Sequence, residues 1–255
     1  MLVDTHCHLN DEQLLNNIDL YIENAKKNDV TTLFVASWDL ASSKIAIELA
    51  HKHDNIYAII GFHPCNIDDM TEANMEQFFE LLKDDKVIAL GEIGLDYHWV
   101  TDESQRLNQR KMFIKQIEIA NQYDLPISIH SRDALQDTLD ILKEHPLKKG
   151  GVMHCYSGSV EMMNEFIKTG MYISFAGPLT FKNAKASKEC AVHVPLDKFF
   201  VETDCPYLTP HPHRGELNEP MYVNLVAIEM AYQKQIDVDE IKRISTENVK
   251  RLFNI

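Results

Sequence analysis

A chain of 255 residues is long enough to bury a large core, and barrels of this size commonly form one domain. Its hydrophobic fraction of 45%, with only nine glycines and nine prolines, excludes a low-complexity or fibrous protein. The 25 basic and 39 acidic residues give a net charge of −14, which excludes a broad basic face for wrapping nucleic acid.

That acidity leaves room for phosphate chemistry in one local pocket, because bound divalent cations supply positive potential whatever the global charge. No apolar run approaches bilayer-spanning length, so no membrane partner is expected. No targeting segment is visible before Leu2-Val3-Asp4-Thr5-His6. Five cysteines, an odd count without a regular framework, suit free thiols in a reducing cytoplasm.

In chain order, the first β-rich run is Leu2–His6. Leu14, Leu15, Ile18, Ile22 and Ala25 then recur at three- and four-residue steps and predict a helix. Further strand-like runs follow at Val30–Ala36, Ile56–Gly61 and Val87–Glu92. After a long helical pattern over Glu103–Asp124 come Pro126–His130, Gly151–His154, Met171–Phe175 and Phe199–Thr203. Leu217–Gln233 and Asp239–Phe253 read as two closing helices. Eight strands alternating with helices predict an α/β fold, a single (β/α)8 TIM barrel over residues 1–255. An open doubly wound sheet is the alternative.

In a parallel barrel every strand ends at the same rim, so residues distant in sequence meet there. The first strand ends in His6 and His8, the fourth in Glu92, the fifth in His130, the sixth in His154 and the eighth in Asp204. Four imidazoles and two carboxylates exceed the needs of one tetrahedral ion and suit two ions sharing an oxygen ligand. No lysine ends strand four, so Glu92 is the natural bridge. Cys7, Cys155 and Cys205 each follow a ligand by one residue; alternation should turn them away to pack. Glu202 shares a face with Asp204 and is expected to orient a ligand or to sit paired in the barrel interior.

The segments D-T-H-C-H-L, G-F-H-P, G-E-I-G-L-D-Y, H-S-R-D-A, H-C-Y-S-G, S-F-A-G-P-L-T and E-T-D-C-P-Y-L-T-P occur in this order between residues 4 and 210. With P-H-R-G-E-L-N-E-P and S-T-E-N-V-K-R-L-F behind them, the chain resembles the TatD family of metal-dependent deoxyribonucleases over nearly its whole length. The resemblance implies an amidohydrolase-like barrel with two divalent metal ions (zinc, manganese or magnesium) that cleaves phosphodiester bonds, often in DNA from a 3′ end. It implies that His6, His8, Glu92 and Asp204 hold the first metal, and that Glu92 bridges to a second on His130 and His154. Asn10 departs from the family, standing where many relatives carry an acidic residue. Strand two, ending Ala36-Ser37-Trp38 rather than Gly-Thr, departs as well.

On this reading Glu92 and Asp204 are the catalytic carboxylates, Asp204 orienting the attacking water or taking its proton. His63 faces the same mouth as a substrate donor. Arg132, two residues past His130 at the start of a helix, either grips phosphate or pairs with Asp133 or Asp137. His213 and Arg214 are weaker candidates, and Tyr97 either stacks on a base or lines a wall. The remaining histidines read as surface or packing residues. The expected partner is DNA or an oligonucleotide through local contacts, with no obligate protein partner evident. A barrel hydrolase of a small amide, lactone or phosphoester, and a non-catalytic metal-binding protein, are the other readings.

Overall fold

The computed structural model describes residues 1–255. Each β-rich run becomes a strand: β1 (Leu2–Cys7), β2 (Val30–Ala36), β3 (Ile56–Ile60), β4 (Val87–Asp96), β5 (Ile127–Arg132), β6 (Gly151–Met153), β7 (Met171–Phe175) and β8 (Phe199–Val201). Between and after them lie α1 (Glu12–Leu15), α2 (Ile18–Lys27), α3 (Leu40–Lys52), α4 (Glu72–Leu81), α5 (Glu103–Tyr123), α6 (Leu135–Glu144), α7 (Val160–Lys168), α8 (Lys185–His193), α9 (Val223–Lys234) and α10 (Val238–Phe253). All seven ladders are parallel and follow chain order, so the connections must cross over, and helices with one apolar face do so. Side chains of Asp39, Thr71, Asp102 and Ser159 cap the helices that follow β2, the β3 loop, β4 and β6. The result is a nearly closed (β/α)8 barrel.

Two boundaries differ from the sequence reading. The first predicted helix is split at Asn16 and Asn17, where Asn17 leaves helical geometry. The helix expected from Leu217 begins only at Val223, because Pro220, which lacks an N–H, opens a separate 3₁₀ turn over Pro220–Tyr222.

The barrel interior is filled by Val3, Phe34, Ile59, Ala89, Val152, Tyr172 and Phe200 from seven strands. Val249 and Phe253 of α10 plug one end, Phe253 packing edge-on against Phe34 at 5.0 Å. Strand residues of the other parity join the larger core under the helices. Two strands change parity on the way. Val3 is interior but Cys7 is in the outer core, and the pairing of β1 shifts register between Asp4 and Cys7. Leu90 and Ile93 are both in the outer core, with a second register shift between them. Since a one-residue slip exchanges the faces of a strand, these irregularities turn His6, His8 and Glu92 inward. Gly91 makes the second possible: its φ is +156°, and a Cβ there would collide with the carbonyl of Ser128.

Closure between β8 and β1 is made just beyond β8. Asp204 N donates to the carbonyl of His6 (2.9 Å) and His8 N to that of Cys205 (2.7 Å). Beneath them the buried Asp4 carboxylate accepts from Thr203 N (2.9 Å) and Thr203 Oγ1 (2.5 Å). Burial pushes Asp4 up to about 8 despite the lowering effect of both Thr203 donors. Asp4→Ala leaves the Thr203 N–H buried without an acceptor, which should cost about 2 kcal/mol. Thermal denaturation should show a midpoint lower by roughly 4–8 °C, with Asp4→Asn, which keeps an acceptor, losing less. An unchanged midpoint for Asp4→Ala would mean that the seam is held elsewhere.

Candidate metal centre

Glu92 stands at the middle of the barrel mouth, and its two oxygens face different imidazoles. Oε2 lies 3.7 Å from Nε2 of His6 and 3.7 Å from Nε2 of His8. Oε1 lies 2.8 Å from Nδ1 of His130, 3.6 Å from Nε2 of His154 and 3.8 Å from Nε2 of His63. Asp204, turned inward by a left-handed backbone (φ +58°), sets Oδ1 3.3 Å from Nε2 of His8, 3.9 Å from Nε2 of His6 and 3.8 Å from Nε2 of His154. Two triads that could each hold a cation, His6–His8–Glu92 and His63–Glu92–His130, have this one carboxylate in common.

The far nitrogen of each ring decides what the near one can do. Nδ1 of His8 lies 3.1 Å from the carbonyl of Ala36, which can only accept; the proton is therefore on Nδ1 and the Nε2 lone pair faces the carboxylates. His130 is held at Nε2 by Asp96 Oδ2 (2.9 Å), leaving Nδ1 toward Glu92. Nδ1 of His154 is 2.7 Å from Glu202 Oε1, a close charge contact off the line of a good N–H bond. Glu202 is itself fixed by Cys155 N (2.8 Å) and Ser174 Oγ (2.5 Å). His63 is opposite in kind: its Nδ1 accepts from Cys65 N (3.1 Å), so its proton points into the site on Nε2, as a donor.

The charges show that the place is built for cations. Burial opposes the charge on His130, but hydrogen bonds to Asp96 and Glu92 outweigh it and raise His130 to about 9. Burial is likewise outweighed at His154, where Glu202 and Asp204 raise it to about 10. Burial would raise Glu92, yet the surrounding histidines hold it well below the carboxylate range. His63, by contrast, is pushed down to about 4 by burial and is neutral at pH 7. Nε2 of His6 is buried without any hydrogen-bond partner while facing both carboxylates, and a metal ion would satisfy that lone pair.

The structure therefore brings His6, His8, His63, Glu92, His130, His154 and Asp204 to one mouth. It treats other expected residues differently. Arg132 is the last residue of β5 rather than part of a helix, and its guanidinium lies 5.6 Å from the Trp99 ring centroid instead of against Asp133 or Asp137. Asp137 is taken by Arg110 (3.1 Å) and by the hydroxyl of Tyr97 (2.6 Å). With Arg106 over one face of its ring at 4.5 Å and its hydroxyl bonded to Asp137, Tyr97 is held within the wall. His213 stacks on Tyr222 of the 3₁₀ turn before α9 and Arg214 lies over Phe181 in the segment after β7, so both tie their loop to its neighbours. Cys7 and Cys205 are buried packing residues, but Cys155 is not turned away by alternation: β6 ends at Met153, and Cys155 adopts φ +43°. The charge of Asp204 bears on its thiol, which burial keeps protonated. Asn10 donates to the same Ala36 carbonyl as His8 (3.0 Å) and to the Ser42 carbonyl (3.2 Å). Asp96 and Asp4 were not foreseen, although Asp96 lies four residues past Glu92 on the same strand face.

The model for the family described as TatD related DNase matches residues 3–254. The chain belongs to the TatD family. It is 47% identical to the uncharacterized metal-dependent hydrolase YabD of Bacillus subtilis, over the full length of both chains. It is 38% identical to the uncharacterized metal-dependent hydrolase YcfH of Escherichia coli, covering all of this chain and 96% of that one. The crystal structure of YjjV, a TatD homologue from E. coli, superposes with a TM-score of 0.94 at 28% identity, covering 100% of this chain and 98% of that one. Replacing Glu202 by Gln removes the charge that orients His154, and should weaken metal binding by about 10–100-fold, measured by competition with a chelator. Unchanged affinity would remove Glu202 from the centre.

Proposed function

We propose that this metal-dependent hydrolase of the TatD family cleaves phosphodiester bonds in DNA strands, working from a 3′ end, with two divalent cations at the barrel mouth. The observation that carries this reading is the division of Glu92 between two sets of imidazoles. It supports one cation on His6, His8 and Asp204 and another on His130 and His154, with Glu92 common to both. The imidazole-rich donor set suits zinc or manganese, and magnesium less well. When bound, such a pair acidifies water towards neutrality and offsets the charge that builds on phosphorus.

The protein's own groups carry the other steps. Asp204 accepts the proton of the attacking water, since its carboxylate is held ionised by His154 and His8 against the effect of burial. His63, neutral and protonated at Nε2, donates to a phosphate oxygen without adding charge. Arg132, free of any carboxylate, provides a bidentate grip on a neighbouring phosphate. The net charge of −14 fits short local contacts with a strand rather than a wide footprint on duplex. The description of the matching family model, TatD related DNase, points to the same substrate.

The test is a product ladder from end-labelled single strands, run beside lactone and amide panels, with metal content measured per chain. Stepwise shortening from the 3′ end and two ions per chain are expected. Glu92→Ala should abolish turnover and lower metal loading. A metal-replete, fully active Glu92→Ala protein, or turnover confined to lactones or amides, would overturn the reading.

A further inference from the structure

Beside the metal centre lies a second concavity of about 390 Å³, between the 3₁₀ turn Pro64–Asp69, the loop after β4 and the first turns of α5. It shares a wall with the centre. Buried Gln109 donates through Nε2 to the carbonyl of Pro64 (3.1 Å) and accepts through Oε1 from the backbone N of Asp96 (3.0 Å), the residue that holds His130. On the other side, Cys65 of the wall donates its N–H to Nδ1 of His63.

The lining selects a chemical class. It contains no lysine, arginine or histidine, so it is not a phosphate site. Its largest apolar side chain is Trp99, which is 69% exposed although Arg132 approaches its ring at 5.6 Å and His98 packs edge-on against it at 4.8 Å. The same lining carries the Asp68 carboxylate and the side-chain amides of Gln105 and Asn108, each amide a donor and an acceptor and neither bonded elsewhere in the protein. A flat face with amide groups at its edge fits a neutral heteroaromatic ring with alternating donors and acceptors. Arg132 lies over Trp99 and is two residues from His130, which places a cation between this pocket and the metal centre.

We propose that the pocket receives the nucleobase next to the scissile phosphodiester, with Trp99 as its stacking face and Gln105 and Asn108 along its edge. This rests on the phosphodiester reading above and adds to it where the base goes. Arg132 then meets the phosphate that links base and centre.

Two measurements test it, one of them independent of turnover. For strands ending in an ordinary or an abasic 3′ nucleotide, the wild type should show a KM about tenfold higher for the abasic end. Trp99→Ala should bring the two values close together, while Trp99→Phe, which retains a stacking ring, should keep them apart. Trp99 is exposed, so neither change threatens the fold. In parallel, ligand-observed NMR should detect saturation transfer from the zinc-loaded protein to the base protons of deoxyadenosine, lost in Trp99→Ala. If no strand is cleaved but this Trp99-dependent transfer is seen, the diester reading fails and the base pocket stands. No discrimination by the wild type, discrimination unaltered in Trp99→Ala, or no transfer from the wild type would overturn the pocket.

Discussion

A carboxylate buried among five imidazoles stays ionised because His130 and His154 carry positive charge beside it, in place of the water that burial removes, and that requirement organises the mouth of this barrel. Glu92 has contacts to His6 and His8 on one oxygen and to His63, His130 and His154 on the other. Each ring comes from a strand end or from the loop just past one. Any change in barrel closure would therefore move the rings relative to one another. The seam between β1 and the segment after β8, clamped by Asp4 and Thr203, is in this sense part of the site.

Behind the rings stands a second layer that sets their orientation. The Ala36 carbonyl, Asp96 and Glu202 engage the outer nitrogens of His8, His130 and His154, so three lone pairs or protons are directed inward at once. This layer explains how a chain of net charge −14 gathers and orients imidazoles at one mouth. The carboxylates are spent on histidines and cations at close range, while the surplus acidity elsewhere is screened by solvent over about 8–10 Å. His63 stands apart because Cys65 N–H occupies its Nδ1, so it enters the site as a neutral donor. The same two residues link the centre to the amide- and indole-lined pocket next to it.

The six ligand positions were legible because a parallel barrel gathers its strand ends at one rim, and for β5 and β6 simple alternation is enough. Ile127 and Ile129 face the outer core, so His130 faces in; Val152 faces in, and so does His154 two residues later, while Asp204, beyond the end of β8, is turned in by its left-handed backbone. Alternation also has a range. It does not extend to Cys155, two residues past the end of β6 and at φ +43°, and it says nothing about Arg132, whose cation settled on an aromatic ring rather than on the nearest carboxylate in sequence.

The sequence by itself determined the order of strands and helices, the barrel class and the identities of the donors, because periodicity and residue chemistry are local properties. Only the tertiary structure decided which way β1 and β4 present theirs. Counting by twos from Val3 puts Cys7 inside, and counting from Leu90 puts Glu92 outside; register shifts against β2 and β5 reverse both. Those shifts depend on neighbouring strands and on the close approach of Gly91 to Ser128, contacts between residues far apart in the chain. Asp96, Glu202 and Asp4 acquire their partners in the same way, across 28 to 199 residues of sequence.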